Sequence, residues 1–419
     1  MDAISESPIE SPNTLIPVGI ILTQIKNGKA LDYDRITIIG DLDLSGLELP
    51  LDEDGHYIIH VPIKIKHSKI QGTTKILNVN FMDSVDFSGT AFINADFQGC
   101  IFSRFAGFTD AIFTGYASFS NVKFVDDVSF TNSQFNECTL IRFDEAKFLK
   151  DAFFWGMHGK NIVFGGNSYF CHAKFHGIAE FSEAIFLGEA DFSLCRFYGE
   201  RIQFLNAQFS KKVSFRGSSV KGKAYFKNDG FKSIANFSEV SLEIIDFTAS
   251  HFEDHLYLPG ATFSSFKIQW DIIKDQLICD DSVLLALITN FRNSGQFDDS
   301  DDCYYRYKKG IQKQRGIGLK KIFDLLSFVS CGYGVRPFRT FYVSAFLISF
   351  FALLFWFGSG IGGLQSISDA LYYSALAFTA NSKSINWIGI YRYIGLLEGF
   401  LGWLFMALFL VTLGRTWLR

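Results

Sequence analysis

The sequence predicts a multidomain membrane protein: a long solenoid, an α-helical linker, and two membrane-crossing helices with a short loop between them. Three observations carry this. Phenylalanine fills 48 of 419 positions, an excess over ordinary usage that needs a structural cause. The phenylalanines fall on a beat of five and six residues, a period that belongs neither to an α-helix nor to a flat strand. Two apolar runs, Phe341 to Phe357 and Ile388 to Gly414, are each long enough at about 1.5 Å per helical residue to cross most of a ~30 Å hydrocarbon core.

Taken in order, residues 1–16, rich in Ser, Pro and Glu, predict a disordered tail. Pro17 suits a first helical turn, and Ile20, Ile21 and Ile25 followed by Lys26, Asn27 and Gly28 fit a short amphipathic helix that stops at glycine. Residues 1–35 are thus read as a tail and a capping helix.

Residues 36–267 carry the repeat. Central apolar residues fall at Ile65, Ile70, Ile76, Phe81, Phe87, Phe92, Phe97, Phe102, Phe108, Phe113, Phe119, Phe124, Phe130 and Phe135, and the beat returns from Phe170 to Phe197 and from Phe204 to Phe263. Two residues before each stands a small side chain, as at Ala95, Ala106, Ala111, Ala190 and Ala235, with Cys100 and Cys195 in the same role. A fixed short period sustained over some 200 residues means a solenoid. If each unit is one side of a square coil, the Phe and the small residue both point inward. Four sides give about 22 residues per coil, roughly ten coils and, at ~4.8 Å per coil, a rod about 50 Å long. The register traces back to Ile39, Leu44 and Leu49, with Pro50 to Tyr57 as an insertion. It stumbles between Phe135 and Phe143 and around Phe154 to Phe164, which predicts bulges or loops.

The units Ala95-Asp96-Phe97-Gln98-Gly99 and Ala190-Asp191-Phe192-Ser193-Leu194 resemble the pentapeptide-repeat family. That resemblance implies a right-handed quadrilateral β-helix over about half of the chain.

From 268 to 336 helical periodicity replaces the beat. Trp270, Ile273 and Leu277 share one helical face and Val283, Leu284, Leu287, Ile288 and Phe291 another, with Asp281 or Ser282 placed to cap. Asp298, Asp299, Asp301 and Asp302 then precede Tyr304, Tyr305 and Tyr307 and the basic Lys308, Lys309, Lys313 and Arg315, an order that suits the helix dipole. Cys331-Gly332-Tyr333-Gly334 reads as a turn leading to Pro337.

Residues 337–419 hold the two spans and a re-entrant loop at 366–387. Lys320, Lys321, Arg336 and Arg339 precede the first span and Arg415 and Arg419 follow the second. Lys383 is the only Lys or Arg between Phe341 and Tyr391, and Arg392 lies just inside the second span. The positive-inside rule places both termini and the solenoid in the cytoplasm of a multi-pass protein of the cell membrane.

Ser366 or Ser368 can cap a helix running from Asp369 to Thr379. The run Asp369-Ala370-Leu371-Tyr372-Tyr373-Ser374 resembles the pore helix of prokaryotic two-transmembrane potassium channels, and Tyr393 to Trp403 is similar to their inner helix, with Gly399 or Gly402 at the place of the gating glycine. The resemblance implies a pore-loop ion channel, tetrameric, whose partners are the bilayer, permeant inorganic ions and further copies of itself. In the place of the filter stand Thr379, Ala380, Asn381, Ser382, Lys383 and Ser384, and no glycine lies between Gly363 and Gly389. A potassium filter uses stacked carbonyls on glycine-permitted backbone angles, so this loop departs from it and predicts atypical or poor selectivity. Lys383 either rings the pore axis or points to the outer water. Glu398, about ten residues into the second span, either lines a cavity or bonds the pore helix through Ser374 or Thr379.

A net charge of -4 gives no reason to expect a nucleic-acid partner. The seven cysteines are scattered, without a C-x-x-C pair, and read as free thiols of a cytosolic body. Asp2, Glu6 and Glu10 argue against a secretory signal. Cys171, His172 and His176 would lie on different faces of a coil, and the Asp298 to Asp302 cluster lacks the glycine and glutamate of a calcium loop, so neither a metal nor a cofactor is expected. No nucleophile or phosphate-loop motif points to an enzyme. Beside the channel stand two further classes. One is a non-conducting, membrane-anchored pentapeptide-repeat scaffold. The other, taken from soluble pentapeptide-repeat proteins, is a DNA mimic that binds topoisomerase, for which the mild acidic excess of the repeat is a thin basis.

Overall fold

The computed structural model describes residues 14–316, 318–381 and 385–417. They form two compact units that divide after Ala286.

The first unit is a β-solenoid of about 12 turns, its strands arranged in two 18-stranded sheets. Consecutive coils pair in parallel with matching residues opposite each other, as in Phe102 opposite Phe124 and Phe148 opposite Phe175. Because one coil returns to the same position about every 22 residues, the inward phenylalanines stack into four columns. One runs Phe81, Phe102, Phe124, Phe148, Phe175, Phe197, and another Phe97, Phe119, Phe143, Phe170, Phe192, Phe215, Phe237. Rings stack with centroids as close as 4.5 Å within a column and meet nearly edge-on between columns, as Phe170 and Phe181 do at 87°. Contacts of this kind add about 0.5–1.5 kcal/mol each beyond burial, so the phenylalanine excess is the core of the rod.

The small residue two positions earlier is buried at the coil corner, as Ala95, Ala111 and Ala184 are. At several corners that residue is polar and finds one carbonyl of the neighbouring coil. The hydroxyls of Thr90, Ser133 and Ser218 donate to the carbonyls of Ile65, Phe108 and Phe192, each at 2.6 Å, and the Cys195 thiol donates to Phe170 at 2.9 Å. A buried donor without a partner would cost about 1–3 kcal/mol. Burial pushes the Cys100 thiol up to about 12, so it stays protonated as a weak donor to the Ile76 carbonyl.

Several expectations need correcting. Thr14–Pro17, which takes in the end of the predicted tail and the Pro17 expected to start the helix, is a strand that pairs with Ile36–Ile39 and so gains ladder partners for its backbone. Residues 1–13 lie outside the described residues. Helix α1, Val18–Lys26, buries Ile21 and Ile25 but leaves Ile20 outside, and the chain turns at Gly28 with φ +64°. The inward residue of the early register is Ile38, fully buried opposite Ile70, while Ile39 is 43% exposed. A one-residue slip on a strand reverses the face. Pro50 to Tyr57 is an insertion closed by a bridge from Leu51 to Tyr57. The stumble after Phe135 is one long strand, Gln134–Arg142, with register shifts against Ile112–Ser118. The second stumble is a turn at Met157 to Lys160.

The coil also runs on past 267. Leu277–Ile278 pairs with Leu256–Tyr257, so Leu277 is a strand residue, and the helix beside it, α2, is the single turn Trp270–Ile273. These additions at both ends raise the count from ten coils to about 12. Helix α3, Asp281–Asn293, is started by Asp280, whose carboxylate accepts from the Val283 N–H at 2.9 Å, and not by Asp281 or Ser282. The Ser282 hydroxyl donates to the same carboxylate.

The second unit contains α4 (Phe297–Gln314), α5 (Leu319–Cys331), α6 (Pro337–Phe357), α7 (Ile367–Phe378) and α8 (Tyr391–Trp417). Gly332, Tyr333 and Gly334 all take positive φ, ending α5 in the expected turn before Pro337, which occupies the first turn of α6. Among the described residues α6 and α8 are the two helices long and apolar enough to cross a membrane, by length and composition. Their shared core is Phe351, Phe355, Ile361, Ala377 and Ile385, with Trp387, Tyr391 and Ile394 packed against it.

Candidate functional site

Helix α7 is short because both of its ends are specified. Ser366 accepts from the Asp369 N–H while the Asp369 carboxylate accepts from the Ser366 N–H at 2.9 Å, a reciprocal cap. At the other end Ala380 adopts φ 60°, and the Asn381 N–H returns to the Leu376 carbonyl at 2.9 Å. The chain then comes back to the end of α6. Gly362 donates to the Asn386 carbonyl at 2.8 Å, and Ile388 donates to the Gly360 carbonyl at 3.0 Å. A capped helix is thereby held between two long apolar ones, with its return strand tied to the first.

One face of α8 receives α7. Gly395, Glu398, Gly399 and Gly402 recur at helical spacing on that face. A Cβ on Gly402 would lie 1.8 Å from the Phe378 carbonyl oxygen and one on Gly399 would lie 3.0 Å from that of Ala377. These glycines therefore let the end of α7 meet the α8 backbone within a continuous helix. Glu398 is fully buried on the same face, where its Oε1 accepts from the Ser374 hydroxyl and its Oε2 has no partner among the described residues. Ser374 also reaches the Ile348 carbonyl of α6 at 2.8 Å, so one hydroxyl joins all three helices. Of the two partners expected for Glu398, Ser374 makes the contact. Thr379 instead bonds back into its own helix at Ala375 and Leu376. Thr379, Ala380 and Asn381 are exposed. Ser382, Lys383 and Ser384 lie outside the described residues.

The outer surfaces are apolar. Leu396, Phe400, Trp403, Leu410 and Val411 on α8, and Phe338, Tyr342, Phe346 and Phe357 on α6, stand exposed. Helix α5 shows the same character on one side, with Leu319, Ile322, Phe323, Leu326 and Val329 exposed at helical spacing.

Helix α4 carries contacts that sequence reasoning missed. Asp302 pairs with Arg336 at 2.7 Å and Asp301 with Arg415 at 3.2 Å, so this one helix holds the start of α6 and the end of α8. The guanidinium groups also lie over aromatic rings, Arg339 over Tyr305 and Arg415 over Tyr304. The only sequence signal was opposite charge, an aspartate doublet and arginines flanking the spans.

The solenoid has a groove of about 570 Å³, lined by Lys147, Lys174, Arg196, Glu145, His172 and Ser219 among others. Its floor carries Lys147, Lys174 and Arg196, which face one another in successive coils, and the same ladder continues one coil back to Lys123. Its wall is a column of left-handed corner residues, Asn121, Glu145, His172 and Leu194. His172 thus faces this groove, whereas His176 stacks on Tyr198 at 4.8 Å and Cys171 is half-buried beside Asp191. Among the described residues no three His, Cys, Asp or Glu side chains gather as a metal site.

Comparison with known proteins bears on the solenoid. A family model described as pentapeptide repeats (9 copies) matches residues 76–123 and 160–200. A solved structure of a trypsin-treated variant of QnrB1, a plasmid-mediated fluoroquinolone resistance protein, is similar at 18% identity, covering 63% of this chain and 97% of that one. Its TM-score of 0.14 carries no argument. No curated protein matches the chain. The repeat match and the in-register phenylalanine columns make the first unit a pentapeptide-repeat β-solenoid, followed by helices.

Proposed function

We propose that the chain is an oligomeric pore-loop ion channel, in which α6 and α8 span the membrane, α7 is the pore helix and the β-solenoid assembles or gates the pore from the cytoplasm. The observation that carries this reading is the doubly specified α7, held between two apolar helices and returned to the first by backbone hydrogen bonds. A soluble helical unit has no use for apolar residues such as Phe400 and Trp403 on its outside. In a bilayer they face lipid or neighbouring copies, and one such hairpin cannot enclose water alone, so several copies, four by resemblance, are required. The cytoplasmic ends would then be those gripped by α4, next to Arg336 and Arg415.

A second reading, the membrane-anchored scaffold without conduction, is favoured by the loop. No glycine stands between Gly363 and Gly389, which removes the backbone freedom a carbonyl-lined filter uses. Planar-bilayer recording of the purified full chain separates the two. Discrete current steps, of atypical selectivity, are expected for the channel. Silence under every salt and voltage, with current appearing only after a glycine-bearing filter is grafted into 379–384, establishes the scaffold. Binding of the full chain to a topoisomerase would instead support the DNA-mimic class.

A further inference from the structure

We propose that the ladder Lys123, Lys147, Lys174 and Arg196 on the solenoid is a binding site for a linear polyphosphate anion. The four cations occupy the same outward position in four consecutive coils, each opposite the next across a parallel ladder. Successive rungs are ~4.8 Å apart, so the charges form a line about 14 Å long on a rigid support. Like charges directly opposite on a ladder are destabilising, and among the described residues no ion pair joins any of these four side chains to a carboxylate. Glu145 is the one carboxylate in the groove lining. The rungs on either side of the line are uncharged, Ile101 before it and Ser219 after it. The positive stretch is therefore bounded in a chain whose net charge is -4.

Several features select the ligand. Lys and Arg together are the side chains of phosphate recognition, one as a point charge and one as a planar fork. The groove of about 570 Å³ has the size of a small-ligand site. A nucleic-acid duplex needs a broad basic surface, but the neighbouring outward column is Val125, Leu149, His176 and Tyr198. An added peptide strand needs a free sheet edge, and here each rung is paired on both sides. His172 and Ser219 in the lining supply further donors to phosphate oxygens.

The test is titration calorimetry of the full chain, held in zwitterionic nanodiscs at low salt, with sodium tripolyphosphate. Saturable binding is expected, weakening as salt rises through the screening range. A double variant, Lys147→Gln with Lys174→Gln, should lose at least tenfold in affinity, while Lys221→Gln with Lys223→Gln, exposed lysines off the ladder, should bind as the unaltered chain does. Hydrogen exchange provides the folding control. Without ligand the ladder variant should be protected at coils 147 to 196 at least as well as the unaltered chain, since stacked like charges have been removed. No heat with tripolyphosphate, or equal losses in both double variants, overturns the proposal. Binding seen only to vesicles bearing a phosphoinositide, and never to tripolyphosphate, overturns it too and assigns the groove to a lipid surface. The outcome is independent of whether the chain conducts.

Discussion

Asp229 is the most telling residue of the solenoid, because it puts a carboxyl at a corner that elsewhere holds a small or aliphatic side chain, as Ala184, Ile162 and Ser250 do. Its side chain is buried, Oδ1 accepts from the Ala207 N–H at 2.8 Å, and Oδ2 has no partner among the described residues. Burial pushes its pKa from the usual 3.8 up to about 9. The coil register puts the Phe204 carbonyl where Ser218 and Ser250, at equivalent corners, find Phe192 and Phe226. A neutral carboxyl can donate there. Since the folded value exceeds the unfolded one, the stability that this acid allows is fully present below about pH 3.8 and is lost as pH rises through about 9. At pH 7 the unfolded carboxyl is ionised some three units above its own value while the folded one keeps its proton. At about 1.4 kcal/mol per unit, that is a cost of about 4 kcal/mol. Asp229→Asn supplies the same acceptor and an N–H donor without the ionisation, so it should stabilise the coils around 207–231 by several kcal/mol at pH 7.5 and by little near pH 4.5. The measurement is hydrogen exchange of those coils, comparing both chains at each pH. An Asn variant less protected than the parent at pH 7.5, or an equal difference at both pH values, refutes the reasoning.

Three other perturbations probe the helical unit. Gly402→Ala sets a methyl against the Phe378 carbonyl and should destabilise the α7–α8 contact by about 1–3 kcal/mol, read as a lower midpoint in thermal unfolding in detergent, whereas Gly310→Ala, with open space around it, should not. Ser374→Ala removes the hydrogen-bond partner that Glu398 has among the described residues and should cost about 1.5–3 kcal/mol, with Glu398→Leu in the same background recovering part of it. Labels placed singly at Phe323 and Leu326 of α5 should be quenched by brominated lipid while one at Lys321 is not, because the apolar face is the one left uncovered. Quenching at α6 and α8 without quenching at α5 would refute the lipid contact of α5 alone.

The rod's core was legible because its period is local: Phe97, its corner Ala95 and the next Phe102 sit within one window of sequence. Its ends were not, because outside the phenylalanine run a position like Ile38 or Ile39 is decided by the ladder partner Ile70. The spacing of Trp270, Ile273 and Leu277 fits a helix, but the open rung beside Leu256 claims Leu277 for a strand. The lysine ladder was hidden for a similar reason. Its rungs lie 24, 27 and 22 residues apart, unequal because the bulge after Phe135 and the turn at Met157 lengthen two coils. In the helical unit the frame of α6, α7 and α8 followed from hydropathy and caps. The grip of α4 did not, since Asp301 and Arg415 are separated by 114 residues.

Asp229 and Glu398 share a physical situation, although one lies in a β-coil and the other in a helix. Each sits where neighbouring elements come within backbone distance, at an Ala207 amide or beside Gly399 and Gly402. Each has one oxygen satisfied and one without a described partner. At the corners of Thr90, Ser133, Cys195 and Ser218 a single hydroxyl or thiol meets a single carbonyl, and no polar atom of these side chains is left over. A carboxyl brings a second oxygen that such a corner was not shaped to receive. In the rod, that surplus is tolerable only with the proton retained, which is why Asn should serve better than Asp there. At Glu398 the same surplus falls on the face of α8 that meets α7, so loosening it would loosen α6, α7 and α8 together through Ser374. Stability and any gating of this unit should therefore change together when that hydroxyl is removed.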